Sequence, residues 1–312
     1  ITQRRPPVVL KLADRQLTRA WLVAFCAALL SLAQLGCQPI ATGNRLTVAS
    51  AGKISSLDPA QASTVNTIQL LSALGDPLYS LDGNGELIPR LAEASPIVSP
   101  DGLTVTIPLR RDVLFHDGTR FDAEAMAFSL RRFLEIGTLS YVVGGRIRSV
   151  EVAVDHQLVL RLSRPSTSLE GLLTSVNLTP VSPTAYAQHR DGFLHDRFVG
   201  TGPYRLTDFS EHQQRLEPFE QYWGEPPANP GLDLITLSNS TALYGALRSG
   251  EVDVLLSPSI DEDQRHALHE TAQEGQLREA IGPATEIGYI TLLSNVAPVS
   301  YTHLRAHETD RH

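Results

Sequence analysis

Two neighbouring polar residues, His116 and Asp117, form the pair in this sequence best suited to acid–base chemistry. An imidazole and a carboxylate are the groups that activate a nucleophile in many hydrolases. Adjacent residues at the end of a strand point in different directions, however, and Asp117 followed by Gly118 is typical of a turn. We therefore expect the pair to build a turn. The alternative is that His116 and Asp117 are catalytic, in which case the protein would be a periplasmic hydrolase.

Two other groups of residues could bind a phosphate or a metal ion. Residues 200–202 are glycine-rich, but Pro203 lacks an N–H, and Arg205 stands where a dinucleotide fingerprint has its third glycine. His266 and His269 are three residues apart on a predicted helix without further ligands nearby, which favours a solvated surface. The sequence also contains no nucleophile elbow, zinc-protease helix motif or Walker loop. It therefore predicts no catalytic residue, no metal site and no cofactor.

The composition limits the possible partners. The chain has 312 residues, 42% of them hydrophobic, which is enough to bury a sizeable core. It carries 34 acidic and 26 basic residues, a formal net charge of −8, which argues against binding to nucleic acid. With only 2 cysteines, neither a disulfide framework nor a cysteine-based zinc cluster is expected.

The beginning of the chain has the pattern of a signal peptide. Positions 1–19 contain 5 basic residues and 1 acidic residue, so this segment is positively charged. Residues 20–33 are uncharged and largely apolar. That apolar run is too short for a comfortable membrane span and is typical of the central region of a signal peptide. We expect residues 1–36 to be this signal peptide.

A cysteine follows directly. Gly36 and Cys37 resemble the end of a bacterial lipobox, in which the cysteine is lipidated, although Gln34 stands where a leucine is usual. We expect Cys37 to be lipidated and residues 37–44 to be a tether; an ordinary cysteine after cleavage elsewhere is the alternative.

The strands and helices that would hold a functional site can be predicted from local sequence patterns. Alternating apolar residues predict strands, helical periodicity with a capping residue predicts helices, and Gly250 predicts a helix end. The predicted strands are 46–49, 103–109, 150–154, 158–162 and a buried strand over 252–256; the predicted helices are 123–134, 241–249 and 261–273. Pro108 predicts an edge or a bulge for its strand. The mixture of elements predicts a mixed α/β (α+β) fold.

A series of short phrases carries a family resemblance. They are Leu-Asp-Pro-Ala at 57–60, Asp-Pro-Leu-Tyr at 76–79, Leu-Ile-Pro-Arg-Leu-Ala at 87–92, Phe-His-Asp-Gly-Thr at 115–119, Gly-Thr-Gly-Pro-Tyr at 200–204, Tyr-Trp-Gly at 222–224 and Arg-Ser-Gly-Glu-Val-Asp at 248–253. In this order, over residues 45–297, they resemble family 5 extracellular solute-binding proteins, the peptide, dipeptide and nickel receptors of bacterial ABC importers.

The resemblance implies a periplasmic-binding-protein-like, two-lobed receptor that closes around its ligand. By position, residues 45–75 and 181–297 form the first lobe, and 76–180 form a smaller domain attached to it. The resemblance implies a second lobe after these residues, so the chain resembles the N-terminal part of such a receptor. Residues 298–312 leave the family pattern, and we expect them to be a non-native tail.

The resemblance also points to ligand-binding residues. It places Ser63, Thr64, Val65 and Asn66 in the cleft, where they could pair with a peptide backbone; that they cap the following helix is equally compatible with the sequence. Tyr204 either shapes the crossover near the cleft or belongs to the core.

The function expected from the resemblance is that of an exported, lipid-anchored receptor. We expect it to be monomeric and to deliver oligopeptides or dipeptides to membrane permease subunits without a chemical step. A nickel or haem receptor is the alternative within the family.

Overall fold

The computed structural model describes residues 45–54, 56–154, 156–187, 194, 197–256 and 260–280. The predicted signal peptide, Cys37, the tether and the tail lie outside these residues. Across the described part of the chain, no helix combines the length and the apolar character that a membrane span requires.

The larger sheet has five strands in the order β11-β1-β10-β9-β8. The strands are β1 Leu46–Ala51, β8 Tyr204–Phe209, β9 Gln213–Pro218, β10 Leu232–Leu237 and β11 Val254–Leu255. β1 runs parallel to β10 and β11, whereas β8, β9 and β10 pair antiparallel. The first predicted strand is therefore confirmed, and it lies inside a sheet completed by residues far away in sequence.

The prediction of a buried strand over 252–256 is wrong in extent and in burial. β11 comprises two residues and lies at the edge of the sheet, where Val254 is 37% exposed. Val252, before the strand, is the buried residue, and it packs in a small core cluster with Ala49 and Leu243. The apolar run in the sequence does not reveal that this strand has a described neighbour on one side only.

Two helices lie in this part of the chain, and the first of them packs against β1, β10 and β11. α6 (Ser240–Ser249) begins at Asn239, whose side chain accepts from the Ala242 N–H. It ends at Gly250, which has φ 75°, a left-handed conformation that favours glycine. α7 (Glu262–Gln273) follows Asp261. Both helices agree with the sequence prediction.

Residues 79–162 supply two smaller sheets, a hairpin β2-β3 and a four-stranded sheet in the order β4-β5-β7-β6. The strands are β2 Tyr79–Leu81, β3 Leu87–Pro89, β4 Ile97–Val98, β5 Thr104–Pro108, β6 Ile147–Val154 and β7 Gln157–Leu162. The predicted hairpin is confirmed as β6-β7. β5 is not an edge strand, however, because it pairs with both β4 and β7. Pro108 is accommodated because it is the last residue of the strand.

α2 (Ala123–Ile136) packs on this sheet against β6 and β7. The Asp122 side chain caps it by accepting from the Ala125 N–H. Met126, Leu130 and Phe133 are buried in the core below it. The remaining helices are short or lie between the sheets: α1 Val65–Leu74, α3 Ser140–Gly144, α4 Leu169–Leu172 and α5 Pro183–Tyr186. Two 3₁₀ turns, Pro59–Gln61 and Val176–Leu178, contact each other between these parts.

Candidate functional site

The candidate site begins at a turn that connects β1 to α1. Asp58 precedes the 3₁₀ turn Pro59–Gln61, and its Oδ1 accepts from the Ala60 N–H at 3.0 Å. Its carboxylate is buried and binds the Arg132 guanidinium through two bonds, at 2.9 and 2.5 Å. The Leu194 N–H also donates to Oδ2, at 3.1 Å. A buried charge is tolerated only when it is paired and hydrogen-bonded, and Asp58 meets that requirement.

Two more contacts fix the same turn from residues far along the chain. The Thr138 N–H donates to the Ala60 carbonyl at 2.8 Å. The Asn177 side chain donates from Nδ2 to the Pro59 and Ala62 carbonyls, at 2.8 and 2.7 Å. Arg132, Thr138 and Asn177 all lie in residues 76–180, so this region fixes the turn.

Residues 63–66, which we call the ligand strip, follow the turn directly. Ser63, Thr64 and Val65 are exposed. Thr64 has an extended backbone, and its hydroxyl accepts from the Thr67 N–H at 3.4 Å, so it caps α1. Asn66 donates from Nδ2 to the Ala51 and Gly52 carbonyls and thereby ties α1 to the end of β1. The capping interpretation holds for Thr64, and contact of the ligand strip with a ligand stays a prediction.

One exposed aromatic residue, close in sequence to Thr138, was not among the predicted site residues. Tyr141 lies in α3 and is 76% exposed. It is three residues after Thr138, which bonds to the turn. The signal available in the sequence was an aromatic residue in a short segment ending in Gly144 and Gly145, where no core periodicity requires it.

Tyr204 begins β8 and has a structural environment. Its ring is partly buried against the core cluster that contains Leu70 and Leu216. Its hydroxyl accepts from Asn229 Nδ2 at 2.8 Å. A ligand contact of Tyr204 stays a prediction, as does that of the ligand strip.

A second carboxylate, Asp76, lies where the chain passes from α1 to β2. It accepts from Arg90 at 2.7 Å, Tyr222 at 3.2 Å and Trp223 Nε1 at 2.9 Å. Burial raises the pKa of Asp76, and the donors from Arg90, Trp223 and Tyr222 oppose that rise. The guanidinium carbons of Arg90 and Arg110 lie 5.1 and 4.4 Å from the Trp223 ring centroid, so each arginine makes a cation–π contact with this ring.

The glycines at 200–202 pack against α1. The Gly202 N–H donates to the Leu74 carbonyl at 3.0 Å, and a Cβ on Gly202 would lie 2.4 Å from the carbonyl carbon of Leu74. Close approach of two backbones therefore explains the glycine, in agreement with the expectation that this segment is not a phosphate cradle.

The two residues of the alternative catalytic pair serve different partners. His116 Nε2 lies 3.1 Å from the Gly202 carbonyl oxygen, and burial lowers the pKa of this imidazole to about 4. Asp117 instead accepts from Thr119 and from the Ser182 hydroxyl, the latter at 2.5 Å. Gly118 has φ 80°. This geometry fits the turn interpretation of the sequence and assigns His116 to a contact between distant segments.

The two histidines of α7 are paired with carboxylates. His266 lies 3.4 Å from Glu270, and His269 lies 2.5 Å from Glu279. Among the residues that the structure describes, no cluster of three or more His, Cys, Asp or Glu side chains could hold a metal ion.

The sequence profile of the bacterial extracellular solute-binding proteins, family 5 (middle region), matches residues 86–306. The chain belongs to this family.

Two relatives whose names state a ligand agree with this assignment. The chain is 26% identical to the glutathione-binding protein GsiB of Salmonella typhimurium (strain LT2), over 94% of the chain and 63% of the relative. It is also 26% identical to the probable D,D-dipeptide-binding periplasmic protein DdpA of Escherichia coli (strain K12), over 66% of the chain and 40% of the relative. The chain thus spans less than two thirds of the length of these relatives.

The fold is similar to that of solved periplasmic binding proteins. One is the ABC transporter-associated protein DppA from Helicobacter pylori in complex with the peptide STSA. The TM-score is 0.65 at 25% identity, and the match covers 72% of this chain and 48% of that protein. The mixed α/β fold predicted from the sequence is therefore confirmed.

Proposed function

We propose that this chain is the ligand-capturing part of a substrate-binding receptor of a bacterial ABC importer, with a peptide-like ligand that is passed to a membrane permease. The observation that carries the proposal is the family match over residues 86–306. The receptor binds and releases its ligand unchanged. The ligands named for the three proteins described above are glutathione, a D,D-dipeptide and the peptide STSA, and they support a ligand with peptide bonds.

In this proposal the first lobe comprises residues 45–75 and 181–297, and the smaller domain comprises 76–180. The distribution of strands supports the division. The first lobe supplies β1 and β8 to β11, which build one sheet, while 76–180 supplies all the strands of the other two sheets.

The ligand strip forms one wall of the proposed binding surface. Thr64 has an extended backbone, with φ −108° and ψ 148°. Its carbonyl accepts from the Ile68 N–H of α1, so its N–H is the group that would pair with an extended peptide. Tyr141 supplies an exposed ring close in sequence to the residue that contacts the same turn, and a ring of this kind can cover apolar ligand side chains. Tyr204 begins β8, the strand that contacts α1, and its ring packs on the core cluster that contains Leu70.

The remaining parts of the proposal concern location. The family is one of extracellular solute-binding proteins. Residues 1–36 would direct export, and lipid on Cys37 would hold a monomeric receptor at the membrane. Cell fractionation of the wild type and of Cys37→Ser tests the anchor, because equal release of both proteins contradicts lipid attachment.

Ligand binding is tested by following backbone amide chemical shifts of the chain in titrations with the tetrapeptide Ser-Thr-Ser-Ala, with glutathione and with glucose. We expect a peptide to shift the amides of the ligand strip, and glucose to leave them unchanged.

Tyr141→Ala is the informative variant, because an exposed ring can be removed without opening a cavity. It should weaken peptide binding severalfold and leave the unfolding transition unchanged. Leu81→Ala, another exposed apolar side chain of residues 76–180, is the matched control and should bind as the wild type does. Peptide-induced shifts that avoid residues 63–66, or no shift with either peptide, contradict the proposal.

A further inference from the structure

The side chain of Asn177 makes contacts that its neighbours in sequence do not explain. It lies in the 3₁₀ turn Val176–Leu178, is 8% exposed, and donates both hydrogen bonds from Nδ2 to main-chain carbonyls 118 and 115 residues away. Its Oδ1 accepts from the Ser175 hydroxyl at 3.3 Å. Because both distant partners are carbonyl acceptors, only an NH₂ group satisfies them, and the orientation of the amide is fixed.

The two carbonyls bracket the turn that leads into the ligand strip. Pro59 begins the turn, and Ala62 is the residue immediately before Ser63. The turn has one internal bond between the same two residues, from the Ala62 N–H to the Pro59 carbonyl at 3.2 Å. The Asn177 amide, which is not part of the turn, also joins these two residues, because its Nδ2 donates to both of their carbonyls. Moving Asn177 would therefore move the residue on which the ligand strip begins.

We infer that Asn177 is a positioning residue, which holds the 3₁₀ turn Pro59–Gln61 so that the ligand strip keeps the position in which it would contact a peptide. The inference rests on the proposed function for the strip as a binding surface. It adds Asn177 to Arg132 and Thr138 as a contact through which residues 76–180 hold the turn in front of that surface.

Asp58 and its partner Arg132 hold the start of the turn, whereas the bond from Asn177 to Ala62 is at its end. Thr138 contacts the middle through its main-chain N–H, which substitution of its side chain by alanine leaves in place. Asn177 is therefore the side chain of this group whose loss should displace the strip while leaving the buried ion pair intact.

The test compares Asn177→Ala with Ser129→Ala in the full chain. Ser129 is a matched control because it is also buried and polar, with a hydroxyl that accepts from Val181 N–H at 3.0 Å and donates to the Ala125 carbonyl at 2.9 Å. Both variants lose buried hydrogen bonds and should be destabilised to a similar degree. In the absence of ligand, we expect Asn177→Ala, and not Ser129→Ala, to shift the amides of residues 63–66.

Titration with the tetrapeptide Ser-Thr-Ser-Ala gives the second measurement. We expect Asn177→Ala to bind it about tenfold more weakly than the wild type, equivalent to about 1.4 kcal/mol, and Ser129→Ala to bind as the wild type does. If Asn177→Ala does not fold, Asn177→Ser, which keeps one donor on a shorter side chain, should show the same shifts at smaller size.

The inference is overturned if the amides of residues 63–66 keep their wild-type shifts in the folded Asn177 variant, or if Ser129→Ala moves them equally. This outcome is independent of the proposed function, because it is measured without ligand. A wild-type chain that binds neither peptide contradicts the proposed function, while the ligand-free shifts still decide whether Asn177 sets the strip.

Discussion

Two buried aspartates lie where residues 76–180 meet the rest of the chain, and their partners differ. Asp58 is bound across this boundary by Arg132, whereas Asp76 pairs with Arg90 of its own region and is reached across the boundary by Tyr222 and Trp223. Asp58 and Arg132 are both buried and share a bidentate contact. Asp76 is buried as well, but its partner Arg90 is 37% exposed and bonds through one nitrogen, also to Tyr222. The Asp58 contact supports the ligand strip, and the Asp76 contact lies at the exit from α1.

The two sets of contacts should differ in how much free energy is lost when one partner is removed. We call the Asp58–Arg132 pair a sealed pair, because both side chains are buried. Such a pair gains little net stability from its charges, but losing one partner leaves the other charge buried without a counter-charge or water. A pair with a solvated arginine can be broken at lower cost, because water replaces the lost donor. We therefore expect the turn at Asp58 to behave as a fixed support and the contacts around Asp76 and His116 to respond to pH.

The largest effect is expected at the sealed pair. Arg132→Ala should lower the free energy of unfolding by about 3–5 kcal/mol, because the Asp58 carboxylate stays buried without its cation. Arg131, the next residue on α2, donates to the Val150 carbonyl from an exposed position and is the matched control. Urea unfolding should give a much smaller loss for Arg131→Ala. Equal losses in the two variants would remove the distinction between the contacts.

The second effect concerns His116, which faces Gly202, Asp117 and Arg205. Burial lowers the pKa of this imidazole from 6.5 to about 4. The unfolded chain therefore binds more protons between these values, and stability falls as the pH drops from 6.5 to 4, by at most roughly 2–3 kcal/mol.

His116→Gln should flatten that part of the stability curve, because glutamine does not titrate and can still donate to Gly202. His212, exposed in the loop between β8 and β9, is the control, and His212→Gln should keep the wild-type curve. Thermal unfolding at a series of pH values measures both. A wild-type slope in His116→Gln would exclude this imidazole as its source.

A smaller effect is expected at the solvated pair. Arg90→Gln should cost about 1–2 kcal/mol at pH 7, less than a sealed charge, since Arg90 is partly in water. The pKa of Asp76 should rise further, because burial raises it and one opposing donor is lost. The difference from wild type should therefore shrink at acid pH, where Asp76 is protonated in both proteins. A loss that is constant from pH 7 to pH 4 would argue against this account.

The smallest effect is expected at the ligand strip itself. Thr64→Ala removes the cap of α1 and should cost about 1 kcal/mol, whereas Thr64→Ser keeps a capping hydroxyl and should cost less. Chemical denaturation measures both. If alanine and serine destabilise equally, the hydroxyl of Thr64 does not cap the helix in solution.

Much of the fold was predictable because its signals are local. The cap at Asp122, the left-handed glycine at Gly250 and the alternation of β6 and β7 depend on residues a few positions apart. The phrases that resemble the family identified it for the same reason, since they are read directly from the order of residues.

The candidate site was predicted only in part. The sequence indicated Ser63, Thr64, Val65 and Asn66, but not Tyr141 or the side chains that hold the turn in front of them. The strand predicted from the sequence for β11 was too long and too buried. Pro108 predicted an edge or a bulge for β5, which instead pairs on both sides. Each of these errors concerns which strand or turn lies beside another, and no local pattern states that.

The family, the helix ends, the hairpin and the glycines at turns could be read from the sequence, because each follows from residue type and short-range geometry. The tertiary structure alone decided that Arg132, Thr138 and Asn177 meet one turn 74 to 118 residues earlier in the chain. Burial of a charge or an amide is favourable only when its partners are already in place, and those partners are assembled by the packing of the whole chain.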